Sequence, residues 1–440
     1  MPGAAARAGA VRAGAGREHR GEYARAVTSP LRIALVSLHT SPGAEPGSGD
    51  VGGMNVVVRN QAEALGAAGH HVEILTRRSS PDEPDVVDLA RGVVLRFLSA
   101  GPAEAVPKGR HEEFIAEFGA RLADLGPWDV IHSHHWFSGV AALPVARDRR
   151  IPHVQSFHSI AAADSTPLSH GERAESPGRL TGEAMLARES DAVVAISRAE
   201  AETVTTRLGG DPARVAVVLP GVDAALFRPL GAGEADEEAR VASGTRPTVV
   251  VAGRLEPLKG PDLAIQAVAA VPAELRPELV IAGGASTEFA GYERDLAALA
   301  DRSGLDVRFL GPQTRAGLAT LLREARLVLV PSHSETYGLI ALEAAASGVP
   351  VIAASSGGLR ESVVDGVTGV VLDSRDPAVW GATVTRLLDD RGLWTRLARA
   401  SRERAVEHPW SLSAAELADV YCRTVGRDEC TALAAAGGRR

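Results

Sequence analysis

Short apolar runs alternate with longer stretches of helical period along almost the whole chain. Seven runs in the first half read as strands: LRIALVSL (31–38), HVEILTR (71–77), VVLRFLS (93–99), DVIHSH (129–134), PHVQSFH (152–158), DAVVAIS (191–197) and VAVVLP (215–220). Most are continuous in Val, Ile and Leu, as strands covered on both faces must be. With helical segments between most of them, they predict βαβ units and a parallel sheet layered by helices. Pro220, Gly221 and the polar stretch GAGEADEEARVASGTRP (231–247) break the pattern. A second series follows: TVVVAGR (248–254), ELVIAGG (278–284), DVRFLG (306–311), LVLVPS (327–332), PVIAAS (350–355) and GVVLD (369–373). The expected fold class is α/β, with two doubly wound Rossmann-like domains facing across a cleft. The expected divisions are an N-terminal extension (1–28), a first domain (29–230), a linker (231–247), a second domain (248–410) and a C-terminal helix and tail (411–440). The extension is Ala, Gly and Arg with almost no large apolar side chains, so it cannot bury a core.

Charge and composition narrow the function. A net charge of −8 argues against a general nucleic-acid binder. No apolar run is long enough to span a bilayer, and the extension lacks the apolar core of a secretory signal. Two cysteines, Cys422 and Cys430, offer neither a metal site nor a disulfide framework and fit a reducing compartment, so a cytoplasmic location is expected. Only two of the 47 basic residues are lysines, Lys108 and Lys259. Where arginine has replaced lysine almost everywhere, a retained lysine marks a place for a compact ammonium.

Ligands of doubly wound sheets bind outside the C-terminal ends of the strands, so the site belongs in the cleft. Three stretches there carry chemistry. The loop HTSPGAEPGSGDVGGMN (39–55) joins a strand to a helix and forms a phosphate-binding unit, although the dinucleotide fingerprint GxGxxG is absent. Gly52 and Gly53 allow close approach to the backbone; Asn55 either caps the helix or touches ligand. The loop GRLEPLKGPD (253–262) brings Arg254 and Lys259 together, two cations suited to a diphosphate leaving group. The stretch PSHSETYGLIALEAAASGVP (331–350) places Glu335 before a helix and Glu343 inside it. These carboxylates suit the hydroxyls of a sugar nucleotide, or are the solvated glutamates of an ordinary strand–loop–helix unit. His39, His132, His134, His135 and His158 line the first domain's strand ends. No carboxylate or cysteine nearby completes a metal site, which leaves them as donors to sugar hydroxyls or as core residues.

The motifs GRLxPxKG and E-x7-E resemble those of the retaining glycosyltransferases of the GT-B fold. The N-terminal HTSPxxxPGSGDxGGMNV narrows the likeness to the D-inositol 3-phosphate glycosyltransferase family of mycothiol biosynthesis, over about residues 31–425. The resemblance implies transfer of N-acetylglucosamine from UDP-GlcNAc to 1D-myo-inositol 3-phosphate. It implies catalytic roles for His158, Arg254, Lys259 and Glu335. The implied acceptor residues are His39, Asp50, Val51, Gly52, Gly53, Met54, Asn55, Lys108, His135, Ser159 and Arg179, with Lys108 and Arg179 on the phosphate. The implied donor residues are Glu45, Pro46, Gly53, Arg254, Lys259, Gln313 at the uracil, Glu335 at the sugar hydroxyls and Glu343 at the ribose. No cofactor is implied for the chemistry; a structural magnesium ion would be held, mostly by backbone, at Leu322, Arg323, Ala325 and Val349. A homodimer is also expected. The chain departs from the family at His135, where tyrosine is usual, at Ser159 (threonine) and at Gln313 (arginine). It also departs along SIAAADSTPLSHGERAESPGR (159–179), which lacks the usual threonine–leucine start and lysine–asparagine pair. That segment borders the acceptor, so another acceptor for the same chemistry (a sugar phosphate, a lipid or a secondary metabolite) is an alternative, as is a sugar-nucleotide epimerase of the same fold.

Overall fold

A computed structural model describes residues 30–45, 51–231 and 246–427. The expected extension 1–28, most of the linker and the chain past Arg427 lie outside the described residues. Two sheets form. The first comprises β1 (Arg32–Ser37), β2 (His71–Arg77), β3 (Val86–Ala90), β4 (Val93–Leu98), β5 (Val130–His134), β6 (His153–Ser156), β7 (Ala192–Ala195) and β8 (Val215–Val217). Its order is β3-β4-β2-β1-β5-β6-β7-β8, parallel except for the β3–β4 pair. The second comprises β9 (Thr248–Ala252), β10 (Glu278–Ala282), β11 (Val307–Gly311), β12 (Leu327–Val330), β13 (Val351–Ala354) and β14 (Gly369–Leu372). It is parallel throughout, in the order β11-β10-β9-β12-β13-β14. The α/β class and both parallel sheets agree with the apolar alternation. β3 alone is unexpected.

Strand periodicity explains the layers. Side chains alternate across a sheet, so Ile33 and Leu35 enter one core while Ala34 and Val36 enter the core on the opposite face. Helices α1 (Gly53–Ala68), α2 (Ile115–Ala123), α3 (Trp136–Arg149), α4 (Arg179–Glu189) and α5 (Arg198–Thr206) cover the first sheet. Phe118, Trp136, Phe137 and Leu186 of α2 to α4 fill one side, and Val58 and Leu65 of α1 the other. In the second domain the helices are α6 (Pro261–Ala269), α7 (Tyr292–Arg302), α8 (Arg315–Glu324), α9 (Leu339–Ala346), α10 (Leu359–Ser362), α11 (Pro377–Asp389) and α12 (Arg391–Val406). Val250 of β9 faces α8 to α10, while Val249 and Val251 face α6, α7, α11 and α12.

The last helix, α13 (Trp410–Thr424), returns to the first domain. Leu417 and Tyr421 are fully buried in the same core as Leu31, Ile33 and Leu65. Tyr421 also places its hydroxyl 2.6 Å from His132 Nδ1. The outward crossing comes ahead of the expected linker, because Val222 and Phe227 already pack with the second domain's core. Cys422 of α13 is disulfide-bonded, so the expectation of a chain without disulfides fails at that position. No helix among the described residues is long and apolar enough to cross a membrane.

Candidate active site

In each sheet the connections change direction beside the first strand, β1 or β9, and ligands of doubly wound folds bind at such points. His39 follows β1, His135 follows β5, Arg254 follows β9 and Glu335 follows β12. The domains face each other across these loops. Thr336 Oγ1 donates to the His158 carbonyl across the cleft at 2.6 Å. Two adjoining cavities result, sharing Gly52, Gly53, Arg254, Lys259, Glu335, Gly338 and Leu339 as common wall.

The cavity on the second domain's side is lined by Val51, Arg254, Lys259, Gln313, Arg315, Glu335 and Glu343. Lys259 precedes Gly260, whose φ of 65° ends the turn before α6. A Cβ there would stand 2.3 Å from the Pro331 carbonyl oxygen, so only glycine lets the lysine loop pack against the end of β12. Lys259 Nζ donates to Glu335 Oε1 at 2.8 Å, and Ser332 Oγ donates to the same oxygen at 2.9 Å. Arg254 lies 3.4 Å from Glu256. Gly338 begins α9 without a side-chain cap, so the positive end of the helix dipole opens beside these cations. Glu343, one turn into α9, is buried; burial raises its carboxyl pKa, while Arg315, 2.7 Å away, opposes the rise. Arg315 also lies over the Phe227 ring. Gln313 donates to the carbonyls of Leu310, Gly311 and Pro312.

The cavity on the first domain's side is lined by His39, Met54, Asn55, Lys108, His135, His158, Ser159 and Glu172. Three non-glycine residues among those described have positive φ, and two of them, His135 at 70° and His158 at 60°, stand here. Such conformations cost energy and persist where the surroundings impose them. Burial pushes the His158 pKa down to about 3 and those of His39 and His135 well below the usual histidine value, with Lys108 and Arg179 adding to the effect at the latter two. The rings are therefore neutral. His39 Nδ1, His158 Nδ1 and both nitrogens of His135 have no hydrogen-bond partner. Buried polar atoms of this kind are rare and mark where a ligand would bind. His158 Nε2 lies 2.9 Å from His134 Nδ1, which sets its orientation.

Asn55 resolves as a cap. Its Oδ1 accepts from Gly52 N at 3.2 Å and its Nδ2 donates to Thr40 Oγ1 at 3.0 Å. Glu45 is exposed; Pro46 and Asp50 lie outside the described residues. Arg179 is enclosed by carboxylates. It reaches Glu172 at 2.6 Å, Glu183 at 2.7 Å and Glu175, and its side chain has no exposed surface. Lys108 Nζ lies 3.1 Å from Glu172, which also accepts from Ser159 Oγ at 2.8 Å. Sequence reasoning missed Glu172 and Glu175. They correct the expectation that no carboxylate stands beside the histidines, because His135, Glu172 and Glu175 bring ligand atoms within 4.8 Å of one another. Lys108 and Arg179 already neutralise those carboxylates, which opposes a cation there. As for magnesium, Leu322, Ala325 and Val349 are buried apolar residues offering backbone carbonyls alone. Arg323 turns its guanidinium to the carbonyls of Leu226 and Arg228. With no carboxylate in the set, it suits at most a structural ion and no catalytic one.

Comparison with known proteins agrees with this architecture. A family model described as "Family 4 Glycosyltransferase in conflict systems" matches residues 44–417. The D-inositol 3-phosphate glycosyltransferase of Xylanimonas cellulosilytica is 40% identical over 90% of this chain and 97% of its own length. That of Mycobacterium marinum is 38% identical over 90% and 86%. Among solved structures, the sucrose-phosphate synthase from Thermosynechococcus elongatus superposes with a TM-score of 0.81 at 26% identity, over 90% of this chain and 99% of that one. Anabaena Alr3699/HepE, solved with UDP and glucose, shares the fold at a TM-score of 0.70 and 20% identity, over 89% of this chain and all of its own. The chain therefore belongs to the family 4 glycosyltransferases, GT-B enzymes that transfer a hexosyl group, and stands among relatives named D-inositol 3-phosphate glycosyltransferase.

Proposed function

We propose that the protein transfers N-acetylglucosamine from UDP-GlcNAc, with retention of configuration, to a ring hydroxyl of 1D-myo-inositol 3-phosphate. The relatives' name, D-inositol 3-phosphate glycosyltransferase, supports that acceptor, and in this reading the step is the first glycosylation of mycothiol biosynthesis. One observation carries the reading. Arg254, Lys259 and the uncapped start of α9 converge on the wall shared with the histidine cavity, so a diphosphate held there presents its sugar to an acceptor held beside it.

The chemistry follows from positioning. The bond between the sugar's anomeric carbon and the β-phosphate oxygen breaks as the acceptor hydroxyl bonds to the same face of that carbon. The departing phosphate oxygen takes the hydroxyl proton. Arg254, Lys259 and the helix dipole stabilise the charge that develops on the diphosphate. Among the described residues, the two carboxylates lining the histidine cavity are engaged rather than poised as nucleophiles on the sugar: Glu335 is tied to Lys259 and Ser332, and Glu172 to Lys108, Arg179 and Ser159. His158 stays neutral and offers its unpartnered Nδ1 to the transferred sugar.

Incubation with UDP-GlcNAc and a panel of polyols, read by mass spectrometry, tests the assignment. A GlcNAc adduct with stoichiometric UDP release is the expected result. An isomerised UDP-sugar, or binding without UDP release, would sink it.

A further inference from the structure

We infer that Glu361 is a positioning residue for the transfer: its carboxylate caps a helix of the opposite domain and so fixes the register between the two cavities. The catalytic half of this inference rests on the proposed assignment of those cavities to donor and acceptor. Glu361 stands on α10 of the second domain, yet both its carboxylate oxygens serve the first. Oε2 accepts from Arg198 N at 3.0 Å and Oε1 from Ala199 N at 2.9 Å. These are the first two N–H groups of α5, which have no partner inside their own helix. The next one, Glu200 N, donates to Ser197 Oγ of its own domain at 3.0 Å. The start of α5 is thus capped jointly by the two domains. The second domain's share is an anion at the positive end of the helix dipole, held by charge-assisted hydrogen bonds.

Each end of this contact leads to a cavity. On the second domain's side, Glu361 N donates to the Gly358 carbonyl, and Gly358 N donates to the Glu335 carbonyl, both at 2.9 Å. Arg404 Nη2 donates to the Glu361 carbonyl at 3.1 Å. The carboxylate is therefore tied to the loop that carries Glu335 and Thr336, and Thr336 makes the other crossing, to the His158 carbonyl. On the first domain's side, Glu200 Oε2 turns back to accept from Ile196 N at 2.7 Å. Ile196 lines the histidine cavity and is buried in one apolar cluster with Tyr337 and Leu359 of the second domain. Two polar crossings with an apolar seam between the same elements fix both the separation and the rotation of the walls. Same-face transfer needs the acceptor oxygen set against the anomeric carbon, and a misplacement of about 1 Å costs about 10²-fold in rate. Arg254, Lys259 and Glu335 all belong to the second domain, so loss of the Glu361 cap should reach turnover without reaching nucleotide binding.

The test compares the full chain as wild type, Glu361→Gln, Glu361→Ala and Ser197→Ala. Ser197→Ala weakens the same helix end without touching the second domain, and is the control for a merely local cap. With UDP-GlcNAc and 1D-myo-inositol 3-phosphate, Glu361→Ala is expected to lose about tenfold in kcat, the scale of a hydrogen bond to a charged group. Glu361→Gln, which keeps one accepting oxygen, should lose less, and it carries the comparison if the alanine variant does not fold. Affinity for UDP, measured by calorimetry, should be unchanged. The radius of gyration of the UDP complex, from small-angle X-ray scattering, should exceed that of wild type. Ser197→Ala should lower the urea midpoint and change neither kcat nor the radius. Glu361 variants that lose only stability, with wild-type kcat and radius, overturn the inference and leave the proposed function standing. A wild type that forms no GlcNAc adduct overturns the proposed function; the scattering then decides the register alone, a larger radius in the variants supporting it and equal radii overturning it.

Discussion

Protonation at the cleft is set by enclosure of the histidine rings, and His158 is the clearest case. With a pKa near 3 its ring is neutral at neutral pH, so in the proposed reaction it would hydrogen-bond to the sugar and not serve as a general acid. The expected kcat profile has no inflection from His158 between about pH 5 and 8, the range in which an exposed histidine titrates. A limb near 6.5 that disappears in His158→Asn would contradict this. Lys259 is the residue on which rate should depend most. Removing a donor aimed at developing negative charge costs about 10²–10³ in kcat, so Lys259→Ala should show that loss in steady-state turnover with the fold intact by circular dichroism. Normal turnover would remove Lys259 from the leaving-group site. The scarcity of lysine made this residue and Lys108 legible in the sequence, and both line the cleft. Glu172 was not legible. Its partners Lys108 and Arg179 lie 64 and 7 residues away, and a glutamate in a polar segment has no local signature of what it will touch.

Elements that carry the site depend on a few backbone positions. At Gly260, alanine would meet both a left-handed φ and the Pro331 carbonyl. Gly260→Ala should cost about 1–3 kcal/mol and raise the KM for the proposed donor, UDP-GlcNAc, by displacing Lys259; urea titration and steady-state kinetics measure the two effects. α13 offers a separate test. Tyr421→Phe leaves His132 Nδ1 without the hydroxyl 2.6 Å away in a fully buried setting, which should lower stability by about 1–3 kcal/mol with turnover unchanged. Most elements were readable because buried parallel strands are continuous apolar runs. β3 escaped because VVDLA alternates exposed and half-buried residues as an antiparallel edge, and Asp and Ala carry little strand preference.

Across the whole molecule, buried neutral histidines dominate the pH dependence of stability. His70, with a pKa near 4, and His153 and His158, near 3, are joined by His39, His132, His134 and His135, all lowered by burial. Unfolding returns each to about 6.5. Between those values the unfolded chain binds more protons, so stability rises with pH; the contribution is complete above about 6.5 and is lost as pH falls toward 3. Glu200 acts in the opposite sense. Burial raises its pKa to about 7, so its contribution is present below the unfolded value of about 4.5 and is lost as pH rises through 7. Urea midpoints should therefore peak near about pH 6.5 and fall steeply on the acid side. A midpoint unchanged from pH 7 to 4 would contradict the burial of these rings. The two-domain plan could be read from the alternation of runs, whereas the destination of α13 could not. Its amphipathic pattern states that one face is buried, not against which domain.

The return of α13 has a mechanical consequence. The chain passes between the domains twice, and the two passages run side by side: Val222 N donates to the His408 carbonyl at 2.9 Å, and Gly221 packs directly on the Trp410 backbone. A single tether would let one lobe swivel freely, whereas a laced pair resists twisting and leaves bending about one axis as the soft motion. Any opening and closing of the cleft should then be a repeatable stroke that brings Thr336 back to the same carbonyl each time, so that Lys259 and His158 return to one register across their shared cavity.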